Sequence, residues 1–470
     1  MTGKFRALFA ALIVVIVASA GALYVGYRNG VATANAGDLA FRVATTGNVG
    51  SLFHPALQSE QLLDVALQKL ENNYYKPVDP QQPISGEQKA ITQYLHAKKI
   101  ANPTVPSESA SGNISDDGAR LASVLSYAQK HYAAKLGAAG ETDLTEAALR
   151  GVMDSVNDPY TVYLSPREMQ GLSESLSGGN FGGIGVYIYE LKTHDIMLQP
   201  IEGLPAARAG MKPGEVVDSV NGKRVKGVPI DTVERMIRGE AGSHADLTTH
   251  PYQQKAAHHY SIVREIIHVP TVRAKMEGDF DYIRLSDFGE TSADEMRKAL
   301  LDGKAKGAKG YILDLRDNGG GLVDAAVKIS SYFIPQGVIV STIDRAGNKE
   351  SQEALGDAIG GLQPLVILVN KYTASASEIT SGALQDYHLA KLIGTKTFGK
   401  GVVQSIYPMP DDGALKITTA SYVTPLGRDI QHKGIVPDTT IQQNVDPALI
   451  DTPADKQLAA AKAQLRSFPR

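Results

Sequence analysis

The chain has no cysteine among its 470 residues, which rules out disulfides, a thiol nucleophile and cysteine-ligated zinc without identifying a compartment. It also lacks a strong excess of charge of either sign. A net charge of −3 offers no electrostatic footprint for nucleic acid. Metal-ligand spacing is missing too: His244, His250, His258 and His259 follow no regular interval, so no metal is expected and their stretch reads as a solvated, variable loop. No motif calls for a cofactor. At this length a single core is not enough, and two or three domains are expected.

One uncharged run stands out, Ala7 to Tyr27, preceded by Lys4 and Arg6 and followed by Arg28. It is long enough to span a bilayer, which takes about 20 apolar residues. The expectation is a membrane anchor within residues 1–30 and an exported, extracytoplasmic body on the periplasmic or cell-surface side. A cleaved signal is the second reading, since Ala34-Asn35-Ala36 has the small-x-small form of a cleavage site. A buried soluble helix is the third.

Chemistry concentrates further along. PLVILVN, Pro364 to Asn370, is short, apolar and rich in branched residues, so it reads as a buried strand. Ala374 to Tyr387 follows with helix formers at helical spacing, placing Ser375 where a strand turns into a helix. The first amides of a helix lack intrahelical partners and lie at the positive end of its dipole, so the Ala376 N–H can face a developing oxyanion. A plain serine N-cap has the same local appearance. KLIGT, Lys391 to Thr395, reads as another strand, and TFGKG after it is a glycine-flanked bend from which Lys400 can point inward. A buried ammonium loses solvation and its pKa falls, leaving an amine able to take the Ser375 proton without a histidine. Gln404, in a strand four residues on, can hold that amine toward the serine. Taken singly, a surface lysine and a strand glutamine are the plainer readings.

Together these segments resemble the carboxyl-terminal processing peptidases, also called tail-specific proteases. The family pattern of strand, small-residue serine run, Gln-Asp helix end, Phe-Gly-Lys-Gly and a later glutamine is met by TASASEI, Gly382 to Asp386, Phe398 to Gly401, and Gln404. The resemblance places the nucleophile on Ser375; Thr373 replaces the family's first serine. A second signature, Gly310 to Ala326, carries Asn318-Gly319-Gly320-Gly321 where the family has Asn-Pro-Gly-Gly, and by resemblance Gly320 joins Ala376 in the oxyanion hole. A third, Ile417 to Asp438, is expected to be structural, with Pro425 and Gly427 at one turn and Gly434 and Pro437 at another.

Phe181 to about Arg264 reads as a PDZ domain. Gly182, Gly183, Ile184 and Gly185 form a loop whose amides can receive a peptide's terminal carboxylate, followed by a strand whose edge can pair with that peptide. Val216 to Val220, an Asn221-Gly222 turn and an amphipathic helix over Ile230 to Ile237 complete the order.

The fold class expected is α/β multidomain: a helical N-terminal region over 50–175 with an insertion at about 80–143, the PDZ domain over 178–266, and a catalytic domain over 267–445. The resemblance makes that last unit a ClpP/crotonase-like α/β core. Pro103 to Gly118 reads as a flexible loop, Leu121 to Leu136 as an added helix, and the tail over 446–470 as peripheral. The function the resemblance implies is a serine endopeptidase cleaving exported polypeptides near their free C-termini, with Ser375 as nucleophile, Lys400 as base and Gln404 orienting it. A homo-oligomer and an activating partner are both compatible with the chain. Two rivals remain. GTKTFGKG has phosphate-loop spacing, but Gly401 stands where a Ser or Thr must ligate magnesium. A noncatalytic, membrane-anchored PDZ scaffold would keep the fold but has no need of Ser375, Lys400 and Gln404 together.

Overall fold

The computed structural model describes residues 59–442 and 454–468, apart from 138, 177–180, 192, 255, 269 and 363. The expected anchor, Ala7 to Tyr27, and the alternative cleavage site lie outside these residues. No helix among those described is long and apolar enough to cross a membrane.

The described residues open with four amphipathic helices, α1 (Ser59–Asn73), α2 (Gln81–Ala97), α3 (Ile114–Leu136) and α4 (Gly140–Asp154). Their apolar stripes, including Leu63, Leu67, Ile91, Leu125 and Leu149, converge on one core. Helices α2 and α4 cross so closely that a Cβ on Gly86 would stand 2.3 Å from the Gly151 carbonyl oxygen, and one on Gly151 2.5 Å from that of Gly86. The expected insertion is therefore an integral part of the bundle. Asn113 caps α3, its carboxamide oxygen accepting from Ser115 and Asp116 N–H. The bundle leads through a tight corner into β1 (Val162–Leu164) and α5 (Pro166–Leu176).

The middle unit runs β2 (Phe181–Gly183), β3 (Val186–Glu190), β4 (Ile196–Pro200), α6 (Pro205–Arg208), β5 (Glu215–Val220), β6 (Lys223–Arg224), α7 (Ile230–Ile237), β7 (His244–Pro251), β8 (His258–Val263) and β9 (Glu265–Ile267). Its main sheet has the order β3-β4-β5-β7-β8, so β3 lies at an edge, with α7 packed beside it. The histidine-rich stretch differs from the loop expected there. It forms a regular antiparallel pair, His244 opposite Val263 through Thr249 opposite His258. The pair alternates, burying Ala245, Leu247 and Thr249 on one strand and Ile262 on the other while the histidines stay on the more exposed positions, and that alternation outweighs their apparent irregularity.

The last unit continues with β10 (Val272–Glu277), β11 (Phe280–Leu285), α8 (Ser292–Ala305), β12 (Tyr311–Asp314), α9 (Val323–Ser331), β13 (Val338–Ile343), β14 (Lys349–Glu353), β15 (Leu365–Val369), α10 (Ala376–Asp386), β16 (Ala390–Gly394), β17 (Val402–Pro408), β18 (Ala414–Val423), β19 (Thr439–Thr440) and α11 (Lys456–Ser467). A six-stranded sheet, β10-β11-β12-β15-β16-β19, is parallel except for β10. Strands β12 and β15 are buried along their whole length, as parallel strands covered on both faces must be. Leu313, Ile367 and Val369 face α8, α9 and α10, while Ile312, Val366 and Leu368 face the other way.

That second face is covered by α11, through Leu458, Ala461 and Leu465. The tail is therefore not peripheral as expected: without it the sheet would leave Ile312, Val366 and Leu368 in water. Arg316, fully buried, locks it in place. Its guanidinium donates to both carboxylate oxygens of Asp314 at 2.6–3.1 Å, and to Asp455 at 2.8 and 2.9 Å. Asp455 also caps α11, accepting from Leu458 N–H at 2.9 Å.

A second sheet, β1-β18-β13-β14 with β17 on β18, takes its first strand from the helical region. Met409, Leu415 and Ile417 accordingly belong to the helical core, so bundle and catalytic unit share one apolar interior. Removing one partner of a buried ion pair costs about 3–5 kcal/mol. Asp455→Ala is accordingly expected to lower unfolding stability by that order, measured as a drop in urea midpoint against wild type.

Candidate active site

Ser375 is the N-cap of α10, in the sharp corner between β15 and that helix, with φ 55° and ψ −118°. A non-glycine residue in such a region stores about 1–3 kcal/mol of strain and persists only where its surroundings over-determine it. Here they do. The Glu378 carboxylate, buried in the first turn, reaches back to accept the Ser375 N–H at 3.0 Å. The same oxygen, Oε2, accepts the Lys400 N–H at 2.9 Å, while Oε1 accepts from Gly399 N–H at 2.8 Å and from the Thr397 hydroxyl. The Tyr422 hydroxyl, fully buried in β18, stands 3.1 Å from the Ser375 carbonyl oxygen and 2.6 Å from that of Lys400. Two buried side chains thus clamp the backbones of serine and lysine to each other.

Lys400 follows β16 in the bend that leads to β17. Burial, together with the nearby Lys416 ammonium, brings its pKa down to about 8 against the opposing pull of the Asp158 and Glu378 carboxylates. Its Nζ lies 4.7 Å from the centre of the Tyr160 ring. Among the described residues no hydrogen bond joins Nζ to Ser375 Oγ or to Gln404. Gln404 lies just past a bulge in β17, opposite Thr418. Bulges re-aim side chains near active sites. Its Nε2 donates to Thr418 Oγ1 at 3.4 Å, and that hydroxyl donates to Asp158 Oδ2 at 2.5 Å.

The glycine loop lies against the serine. A Cβ on Gly320 would stand 2.8 Å from Ser375 Cβ and 2.9 Å from the Ala376 nitrogen, and φ is +106°. Only glycine leaves that space open. The Gly320 N–H, however, donates to Asn318 Oδ1 at 2.9 Å. In this conformation the amide assigned to an oxyanion by resemblance is therefore engaged within its own loop. The loop is tied to the serine segment by Ala374 N–H and the Ser377 hydroxyl, both donating to the Asn318 carbonyl oxygen.

In the middle unit, Gly182 and Gly183 lie in β2, paired with β9, and Ile184 and Gly185 turn the chain into β3. The carbonyls of Gly182, Ile184 and Gly185 are spent inward, on Gly239, Ala206 and Ile201 N–H. The N–H groups of Ile184 and Gly185 have no hydrogen bond among the described residues, and the outer edge of β3 is unpaired.

Sequence reasoning missed Glu378, Tyr422, Asp158 and Tyr160. Glu378 had a signal, the Ser-x-x-Glu spacing of a capping box. The other three are brought in by the pairing of β1 and β17 with β18, which leaves no local trace.

Residues 279–441 match the profile of peptidase family S41, and residues 197–249 that of a PDZ domain. A carboxy-terminal-processing protease of Bartonella bacilliformis is 38% identical over 308 residues, covering 64% of this chain and 70% of that protein. The chain belongs to peptidase family S41. It is a hydrolase of the carboxy-terminal-processing protease type, which disfavours the noncatalytic scaffold. A Staphylococcus saprophyticus protein named "Probable CtpA-like serine protease" is 35% identical over 316 residues, covering 67% of this chain and 64% of its own length. Among solved structures, the photosystem II D1 C-terminal processing protease aligns over 86% of this chain and 97% of its own, with 25% identity and a TM-score of 0.46. The expected class, a helical region, a PDZ domain and an α/β protease core, is the one the present chain has by its own elements and its two matched profiles.

Gly320→Ala is expected to fill the space beside the Ala376 amide. For an oxyanion hole such as the resemblance implies at Ala376 and Gly320, loss of one donor lowers turnover by about 10²–10³-fold. Peptidase activity should fall by that order while the circular dichroism spectrum stays that of wild type.

Proposed function

We propose that the peptidase cleaves exported polypeptides near their C-termini with a Ser375–Lys400 dyad, Gln404 orienting the lysine and the PDZ unit binding the substrate's free C-terminus. The observation that carries the proposal is the shared clamp. The Ser375 and Lys400 backbone N–H groups donate to one Glu378 oxygen, so the bend that carries the lysine, its pKa about 8, is held beside the helix N-terminus that bears the serine.

The steps follow from what each group can do. Neutral Lys400 takes the Ser375 Oγ proton as Oγ attacks the scissile carbonyl carbon. The carbonyl electron pair moves onto oxygen, facing the Ala376 N–H. Gly320 supplies the second donor once its amide leaves Asn318. Collapse breaks the C–N bond, the Lys400 ammonium returns its proton to the departing amine, and water repeats the sequence on the acyl-enzyme. Lys400 must also leave the Tyr160 face to reach Oγ. The Thr418 bond orients the Gln404 carboxamide, whose oxygen is suited to receive the moving amine.

The unengaged amides of Ile184 and Gly185 suit a terminal carboxylate, and the open edge of β3 suits an added peptide strand, with α7 as the other wall. Export rests on the apolar run Ala7 to Tyr27, as anchor or cleaved signal.

Arginine does not deprotonate in proteins. Lys400→Arg is therefore expected to reduce peptide hydrolysis to background; substantial activity would remove the lysine from its role. A base must be neutral to act, so kcat/KM should rise about tenfold per pH unit on the acid side and level off above the Lys400 pKa of about 8. Replacing a substrate's terminal carboxylate by a carboxamide should raise KM; an unchanged KM would argue against PDZ delivery.

A further inference from the structure

The corner Asp158–Thr161 belongs to the helical region, yet its side chains reach the peptidase site. It is built rigidly. Asp158 Oδ1 accepts the Tyr160 N–H at 3.1 Å, and Oδ2 accepts the hydroxyls of Thr161 at 2.7 Å and Thr418 at 2.5 Å. Thr161 Oγ1 in turn accepts the Thr418 N–H at 3.1 Å. One residue on, β1 joins β18 with Val162 opposite Lys416. The Tyr160 ring is thereby fixed over the Lys400 ammonium, 4.7 Å from ring centre to Nζ.

We propose that Tyr160 is a positioning residue for the base: its ring face seats the Lys400 ammonium in the resting site and must release it before Ser375 can be deprotonated. This rests on the dyad proposed above and adds to it a group contributed from outside the catalytic unit.

The charges around Nζ show why a neutral ring is suited to this place. From the corner comes Asp158, from α10 Glu378 and from β18 Lys416, while the β18 Tyr422 phenol lies against the Lys400 carbonyl oxygen. The carboxylates favour the ammonium, whereas burial and Lys416 favour the amine. A further carboxylate at position 160 would trap the proton on Lys400. An aliphatic residue would keep the site dry but give the ammonium nothing to rest on. An aromatic face lies between these extremes, attracting the cation through its quadrupole without accepting its proton. The hydroxyl is not required for this, and Tyr160 Oη makes no hydrogen bond among the described residues.

The sign of the effect follows. The ring stabilises only the protonated lysine, so losing it at constant apolar volume lowers the pH at which the amine forms, by about one pH unit for a desolvated cation–π contact. The experiment measures the second-order rate of Ser375 labelling by a small fluorophosphonate against pH, which bypasses substrate delivery by the PDZ unit. It uses the full chain as wild type, Tyr160→Phe, Tyr160→Leu and Lys400→Ala. Tyr160→Met replaces the leucine variant if that one does not give the wild-type circular dichroism spectrum. The phenylalanine variant should keep the wild-type acid limb, and the leucine or methionine variant should move it down by about one unit. An unmoved or raised limb without the ring, or an equal shift in Tyr160→Phe, overturns the assignment to Tyr160 while leaving the dyad in place. Wild-type labelling in Lys400→Ala overturns the dyad itself.

Discussion

Everything at the site depends on one buried carboxylate. Glu378 accepts from Ser375, Lys400 and Gly399 N–H and from the Thr397 hydroxyl, so a single side chain joins the helix that carries the serine to the bend that carries the lysine. Hydrogen bonds to a charged group contribute about 1.5–3 kcal/mol each, enough together to hold the strained Ser375 backbone. The clamp acts on backbones, leaving the two reactive side chains free to move. Ser375 Oγ and Lys400 Nζ can then change partners without disturbing the frame that keeps them adjacent.

That freedom matters because the lysine has to be two things. In the proposed dyad it rests as an ammonium over an aromatic ring and reacts as an amine against a hydroxyl. Burial and Lys416 push it toward the second state, Asp158 and Glu378 toward the first, and the balance falls at about 8. Were the carboxylates absent, a lysine this dry would stay neutral and lose its hold on the corner. Were Lys416 absent, the proton would be harder to remove. Burial prevails over the carboxylates, and the three charges that modulate it lie on different elements.

The parts legible in the sequence are those specified by neighbouring residues. The strand Leu365–Val369, the turn at Ser375 and the helix Ile230–Ile237 were readable because apolar period and helix-start chemistry are local. Lys400 and Gln404 were legible as a spaced pair. The Asp158 corner was not, because β1 is three residues long and reaches β18 across some 250 positions, leaving no periodic signal. The C-terminal helix was misread because alanine- and glutamine-rich segments look solvated. Its few apolar residues, Leu458, Ala461 and Leu465, share one face, and that stripe is all the sheet requires. The histidine hairpin was misread for the converse reason: conspicuous side chains drew attention from the alternation of Ala245 and Leu247 beneath them.

The same long-range assembly joins the glycine loop to the far side of the molecule. Arg316 precedes that loop by a few residues and is held by Asp314 from its own strand and Asp455 from the C-terminal helix. Its guanidinium is planar and saturated with acceptors, so the chain leaving β12 has one direction available. Asn318 then receives Ala374 and Ser377 on its carbonyl and sends its amide to Leu285, pinning the loop between the end of β11 and the start of α10. Gly320 is left against Ser375 with its amide donating to the Asn318 carboxamide oxygen, a bond that spans two residues of the loop. In the proposed mechanism a developing oxyanion, carrying more charge than a carboxamide oxygen, is the stronger acceptor for which that amide would be exchanged.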